Sequence, residues 1–242
     1  MARLLFLLSY DLRSIQKDLM TMIAIFAPIL MALFFRFITP VLNKMFFEGT
    51  SFTSTDQNLV IGLLLLLATP VMLGIMSGFI LLDEKDEGVA MSIAVTPFQL
   101  KGYLLYRLTL PILVSLILAY PVLLIGGFTE ILTLRLLPFL LLILLEIPII
   151  ALFMASMAEN KVEGLAAAKV VSILLAIPIA IFFVEHPAIM LTGILPPYWP
   201  IKGYLLLLDG WNLSAFLILF IGILYHLLLL YSLLKRYERM MR

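Results

Sequence analysis

Long apolar blocks dominate this chain, and short polar segments separate them. Blocks at about 20–41, 59–82, 103–125, 136–157, 165–184 and 211–234 are each close to the roughly 20 residues a helix needs to cross a bilayer. The second block, Leu59–Leu82, carries no charged residue. A different pattern precedes the first block. Leu4, Leu8, Leu12, Ile15 and Leu19 recur every three or four residues, while Arg3, Asp11, Arg13, Ser14, Gln16 and Lys17 lie off that stripe. This predicts an amphipathic helix over 3–19 lying along the membrane surface. A simple lead-in to the first span is the alternative reading. Residues 185–210, before the last block, follow neither pattern. Ala188–Leu195 is apolar but too short to cross, and Leu195-Pro196-Pro197-Tyr198-Trp199-Pro200 follows it. Such proline density breaks a regular helix, and Tyr198 and Trp199 suit a membrane interface. The expectation is a re-entrant segment of short helices that dip into the outer leaflet and return.

One polar segment is far denser in charge than the others. Asp83-Glu84-Lys85-Asp86-Glu87 places five charges in succession, and Gly88-Val89-Ala90-Met91-Ser92-Ile93-Ala94-Val95-Thr96-Pro97 follows. A run of this kind leaves the hydrocarbon. Asp83 has the chemistry of a helix cap, and Glu84, Asp86 and Glu87 suit the positive end of a helix dipole. Pro97 disfavours helix at Thr96. The segment therefore predicts a separate short helix over 83–97, with Val89 and Ile93 on one face. The plainer reading is a solvated loop between two spans. A rigid helix of this kind is a surface for meeting a partner.

Composition narrows the class. The 242 residues are 64% apolar and 13% charged, against roughly 45–50% and 25% for soluble domains, so the chain reads as one all-α integral membrane domain over 1–242. A net charge of +1 gives no bulk attraction to nucleic acid. With no cysteine, disulfides, thiol catalysis and cysteine metal sites are excluded. Two distant histidines, His186 and His226, give no metal-ligand spacing. No Gly-x-Ser-x-Gly, His-Glu-x-x-His or Gly-x-x-x-x-Gly-Lys-Ser/Thr motif occurs, so neither catalytic residues nor a cofactor site is expected. If ATP drives this protein, another chain binds it.

Charge also predicts orientation. Arg3, Arg13, Lys17, Lys85, Lys101, Arg107, Lys161, Lys235, Arg236, Arg239 and Arg242 fall on one side of the six-span arrangement, and Arg36, Lys44, Arg135 and Lys202 on the other. Eleven against four places both termini and the charged segment in the cytoplasm. Inside the spans, Glu146 lies near the middle of the fourth and His226 in the inner half of the sixth. A charge at mid-bilayer is expensive, so these two are candidates for a substrate path, and buried structural contacts are the other reading. Lys169 is close enough to the inner end of the fifth span to reach the surface with its ammonium.

The charged segment also resembles the first cytoplasmic loop of type-2 ABC transporter permeases. That loop runs roughly Glu-Arg/Lys-Glu-x-Gly-Thr-x-x-x-Leu-x-x-Thr-Pro after the second span. Here the residues are Glu84-Lys85-Asp86-Glu87-Gly88-Val89, then Ile93, then Thr96-Pro97, with Val89 in place of Thr and Ile93 in place of Leu. The number and order of spans agree over the whole chain. The resemblance implies a coupling helix, with Glu84, Asp86, Glu87, Gly88, Val89, Ile93, Thr96 and Pro97 meeting a cytoplasmic ATPase subunit. It further implies a second permease chain, identical or paralogous, an export direction and a place in the plasma membrane. Leu-, Ile- and Phe-rich spans are compatible with a small hydrophobic, drug- or lipid-like substrate. The competing readings are an ATP-independent carrier or channel, an intramembrane enzyme, and a membrane scaffold or assembly factor.

Overall fold

Helix is the only way this chain can satisfy its backbone in hydrocarbon, and the structure obeys that constraint. The structure, a computed structural model, describes residues 19–47, 53–94, 99–184 and 186–241. The expected surface helix over 3–19 lies outside the described residues, apart from Leu19. Nine α-helices follow among the described residues: α1 Leu19–Leu42, α2 Ser54–Asp86, α3 Val89–Ala94, α4 Gln99–Gly126, α5 Leu136–Met157, α6 Lys161–Ser172, α7 Ile177–Phe183, α8 Tyr198–Leu208 and α9 Leu213–Met240. No strand occurs among these residues. Six helical stretches, Met22–Met45, Ser54–Asp86, Gln99–Gly126, Leu136–Met157, Lys161–Phe183 and Leu213–Met240, are long and apolar enough to cross a membrane. The protein is therefore a multi-pass membrane protein.

The fifth span is composite. α6 starts from an Asn160 cap that accepts hydrogen bonds from the N–H groups of Val162 and Glu163. It passes through a 3-10 turn at Ile173–Ala176 into α7. Pro178 sits at the start of α7, where its missing N–H removes a helical bond, and this accounts for the break. Because the helix begins at Lys161, Lys169 lies two turns into it, on an exposed face.

α2 is the axis of the fold. Its 33 residues span about 50 Å, and it touches α1, α3, α4, α5, α6 and α7. Leu63, Leu65, Leu66, Leu67, Leu73, Leu81 and Leu82 are almost wholly enclosed. α5 is the second inner helix, packed against α2 on one side and α8 and α9 on the other. Two glycines one turn apart let α2 and α5 approach closely. A Cβ on Gly74 would stand 2.9 Å from Ile150 Cβ, and one on Gly78 would stand 2.9 Å from Met154 Cβ. Small residues four apart let membrane helices approach until backbone meets side chain, and dispersion replaces the absent hydrophobic drive. α1, α4 and α9 instead turn large apolar side chains outward, among them Phe37, Leu105, Ile117 and Leu228.

Side-chain bonds show which helix ends lie together. At one end, Lys161 Nζ pairs with Asp83 Oδ2 at 2.8 Å, Lys85 Nζ donates to Ala158 O at 3.3 Å, and Arg236 Nε donates to Ser156 O at 3.3 Å. At the other, Gln57 Nε2 donates to Thr39 O at 3.3 Å, Arg36 to Ile125 O at 3.0 Å and Arg135 to Leu208 O at 3.2 Å. The chain thus enters at residue 19 and leaves at 241 on the same end, which we call the charged end.

The charged segment departs from its expected form. Asp83 does not cap a new helix. Its carbonyl accepts from the N–H of Glu87 at 2.9 Å, so Asp83 to Asp86 are the last turn of α2. The break falls at Gly88, whose φ of +73° suits glycine and ends helices through a left-handed residue. The helix that follows is Val89–Ala94, shorter than the one expected over 83–97. Thr96 and the stop at Pro97 lie outside the described residues.

Candidate functional site

Two polar features stand out from the apolar bundle: the charged end of α2 and a buried pair between α5 and α9. At the charged end, neighbouring residues have opposite environments. Glu84 is buried and turned inward. Its Oε2 accepts from Arg107 Nε at 3.0 Å and from the Tyr103 hydroxyl, and its Oε1 pairs with a second Arg107 nitrogen. Tyr103 and Arg107 are one turn apart on α4, so one helical face presents both donors to one carboxylate. A two-point guanidinium contact with an added hydroxyl is the arrangement in which a buried carboxylate is well satisfied. Asp83 and Lys85, on either side, tie α2 to the 158–161 turn.

Asp86 and Glu87, by contrast, are exposed, and Gly88 and Val89 are half-buried. Ile93 is half-buried and packs toward a core of Leu81, Tyr103, Leu104 and Tyr237. The expected coupling residues therefore divide. Glu84 holds the helix ends together from inside, Asp86 to Val89 form the outward turn, and Ile93 faces back onto the bundle. A push on that turn meets a junction fastened to α4, the 158–161 turn and, through Arg236, α9. Sequence reasoning missed Tyr103 and Arg107 as partners of Glu84, although two donors at i and i+4, just inside the next span, are a readable signal.

The second feature joins two residues singled out separately. Glu146 and His226 are each wholly buried, with His226 Nε2 3.3 Å from Glu146 Oε1. His226 Nδ1 lies 2.7 Å from Gly222 O. A backbone carbonyl can only accept, so Nδ1 carries a hydrogen. The Nε2–Oε1 bond then needs one proton, on one atom or the other. Either way the pair is neutral as a unit, as neutral acid with imidazole or carboxylate with imidazolium, which suits mid-bilayer depth. Glu146 Oε2 has no partner among the described residues. Trp199 of α8 closes over this level of α9, where a Cβ on Gly222 would stand 2.8 Å from Trp199 Cβ. Trp199 also donates to Gly193 O at 3.0 Å, and Tyr225 OH donates to Ile194 O. Above the pair, Leu137, Leu141, Leu142, Leu219 and Ile223 line an open apolar groove of about 410 Å³. No group of three metal-ligating side chains occurs among the described residues.

Six apolar helices, one of them enclosed by its neighbours, define a multi-pass membrane protein, and the comparisons name its family. The chain belongs to the family described as fluoroquinolones export permease protein Rv2686c-like, whose model matches residues 11–234. This is an ABC-2 type permease family. Similar proteins include the fluoroquinolones export permease proteins Rv2686c and MT2760 from two Mycobacterium tuberculosis strains, H37Rv and CDC 1551. Each is 26% identical over 231 residues, covering 94% of this chain and 91% of the relative. No solved structure matches. By family the protein is a membrane permease, a transporter component.

Proposed function

We propose that this chain is the membrane subunit of an ATP-driven exporter of small, hydrophobic, drug-like molecules, coupled to a separate cytoplasmic ATPase and working with a second permease chain, identical or paralogous. The observation that carries the reading is the outward Asp86–Val89 turn riding on the clamped end of α2. Contact there reaches the central helix without an intervening flexible joint. In this reading Asp86, Glu87, Gly88, Val89, Thr96 and Pro97 meet the ATPase. Glu84 and Ile93 transmit the contact inward and do not touch the partner. The charged end faces the cytoplasm of the plasma membrane, since it carries most Lys and Arg. These 242 residues hold no phosphate-binding loop, which supports an ATPase supplied by a partner. The relatives' names support a drug-like substrate, and the apolar groove above Glu146 and His226 supports a path beside that pair. The 187–208 segment, which runs alongside α9 down to Tyr225, acts as the re-entrant element closing that path from outside.

The test is reconstitution in liposomes with a candidate ABC ATPase and a fluoroquinolone. Wild-type permease should stimulate ATP hydrolysis and accumulate drug, and Glu87→Arg should abolish both while remaining inserted. Drug movement that persists without any ATPase, driven by an ion gradient, would overturn the reading in favour of a carrier.

A further inference from the structure

The last turns of α9 change chemistry along one exposed stripe. Leu224, Leu228 and Tyr231 stand out from the bundle at helical spacing. Ser232, Lys235 and Arg239 continue the stripe with Arg236 beside it, all exposed. Leu228, Tyr231 and these polar residues line a concavity of about 720 Å³ that holds three cations and no acidic side chain. The one acid of this turn, Glu238, points elsewhere, with Oε1 3.9 Å from Lys101 Nζ. Lys235 Nζ sits 5.8 Å from the centre of the Tyr231 ring, and Arg236 is steadied by its bond to Ser156 O.

Depth decides what such a face can take. Residues 213–234 of α9 rise about 33 Å, against a hydrocarbon thickness of about 30 Å. Lys235, Arg236 and Arg239 therefore lie at headgroup level, while Leu224 and Leu228 lie at acyl-chain level. We propose that this face binds an anionic phospholipid, its phosphate held by Lys235, Arg236 and Arg239 and one acyl chain laid along Leu224, Leu228 and Tyr231. Arginine forks and a lysine suit phosphate oxygens. An acidic soluble protein could meet the cations but could not reach the apolar half of the concavity.

Lipid binding is read on the purified full-length chain in detergent by native mass spectrometry, with phosphatidylglycerol and phosphatidylcholine of identical acyl chains. Phosphatidylglycerol should bind in preference. The double variant Lys235→Gln/Arg239→Gln should weaken that binding by about tenfold or more. Both side chains are exposed, so the melting temperature should not move. Lys44→Gln/Lys202→Gln removes equal charge at the opposite end and should leave binding intact. Equal binding of the two lipids, an equal loss in the Lys44/Lys202 variant, or full displacement by soluble glycerol phosphate would each overturn the proposal. None of these readouts involves transport, so the outcome is independent of the exporter reading.

Discussion

Adjacent acidic residues in the charged segment have opposite roles, and substitution should separate them. Glu84→Ala takes from Arg107 and Tyr103 the buried carboxylate to which both donate. Breaking such a pair by removing one partner costs about 3 kcal/mol or more. We expect a clear fall in the thermal midpoint of the detergent-purified protein, whereas Asp86→Ala, at an exposed position, should leave it unchanged. Equal midpoints in the two variants would remove the clamp. The Glu146–His226 pair admits a parallel test. Glu146→Gln keeps a donor for His226 Nε2 and should fold and insert normally. His226→Leu leaves a buried carboxyl without its partner and should lower stability by about 1–3 kcal/mol. Adding Glu146→Leu to His226→Leu should then restore part of that loss, because paired removal costs less than orphaning one member. A double variant less stable than His226→Leu would show that the carboxyl has another use. Glu146 and His226 were legible as singular residues because polar groups in apolar spans are conspicuous. Their meeting was not, since they lie 80 residues apart and no local pattern links them.

At the scale of elements, the spans were legible as apolar blocks, and the helices outrun those blocks. Apolar blocks mark where hydrocarbon is, but a helix continues into water wherever capping and side-chain ties sustain it. α2 therefore runs on through the charges to Asp86, α6 starts early at Lys161 on its Asn160 cap, and α9 extends to Met240. Asp83 is a good cap by chemistry, yet the preceding helix held it, and Gly88 supplied the stop. The glycines of α2 were also passed over, since Gly74 and Gly78 among leucines give no sign of which helix will approach them. They carry the element-scale prediction. Gly78→Ala should force Met154 aside and destabilise the protein by about 1–3 kcal/mol. Combining it with Met154→Ala removes the Sδ that would stand 2.8 Å from the new methyl and should recover part of the loss, the Cβ contact remaining. Additive losses, read as unfolding midpoints in detergent, would mean that the α2–α5 contact does not set the packing.

At the scale of the whole molecule, the ties at each end make a prediction about sidedness. An even number of spans returns the chain to its starting side, and the bonds from Lys161, Lys85 and Arg236 gather one set of helix ends, while those from Gln57, Arg36 and Arg135 gather the other. Lys85, Lys101, Arg107, Lys161, Lys235, Arg236 and Arg239 all belong to the first set, against Arg36, Lys44, Arg135 and Lys202 in the second. The bias in Lys and Arg therefore coincides with the physical grouping of ends, and it points the charged end to the cytoplasm. The chain contains no cysteine, so single thiols can be placed without background. Asp86 and Glu130 are both exposed and lie at opposite ends. In intact cells, a membrane-impermeant maleimide should label Glu130→Cys and spare Asp86→Cys, and permeabilised cells should show both. Labelling of Asp86→Cys from outside would invert the protein and turn its outward acidic turn away from ATP. An ATPase could not then reach the end of α2, and the clamp around Glu84 would keep its structural role with nothing to transmit.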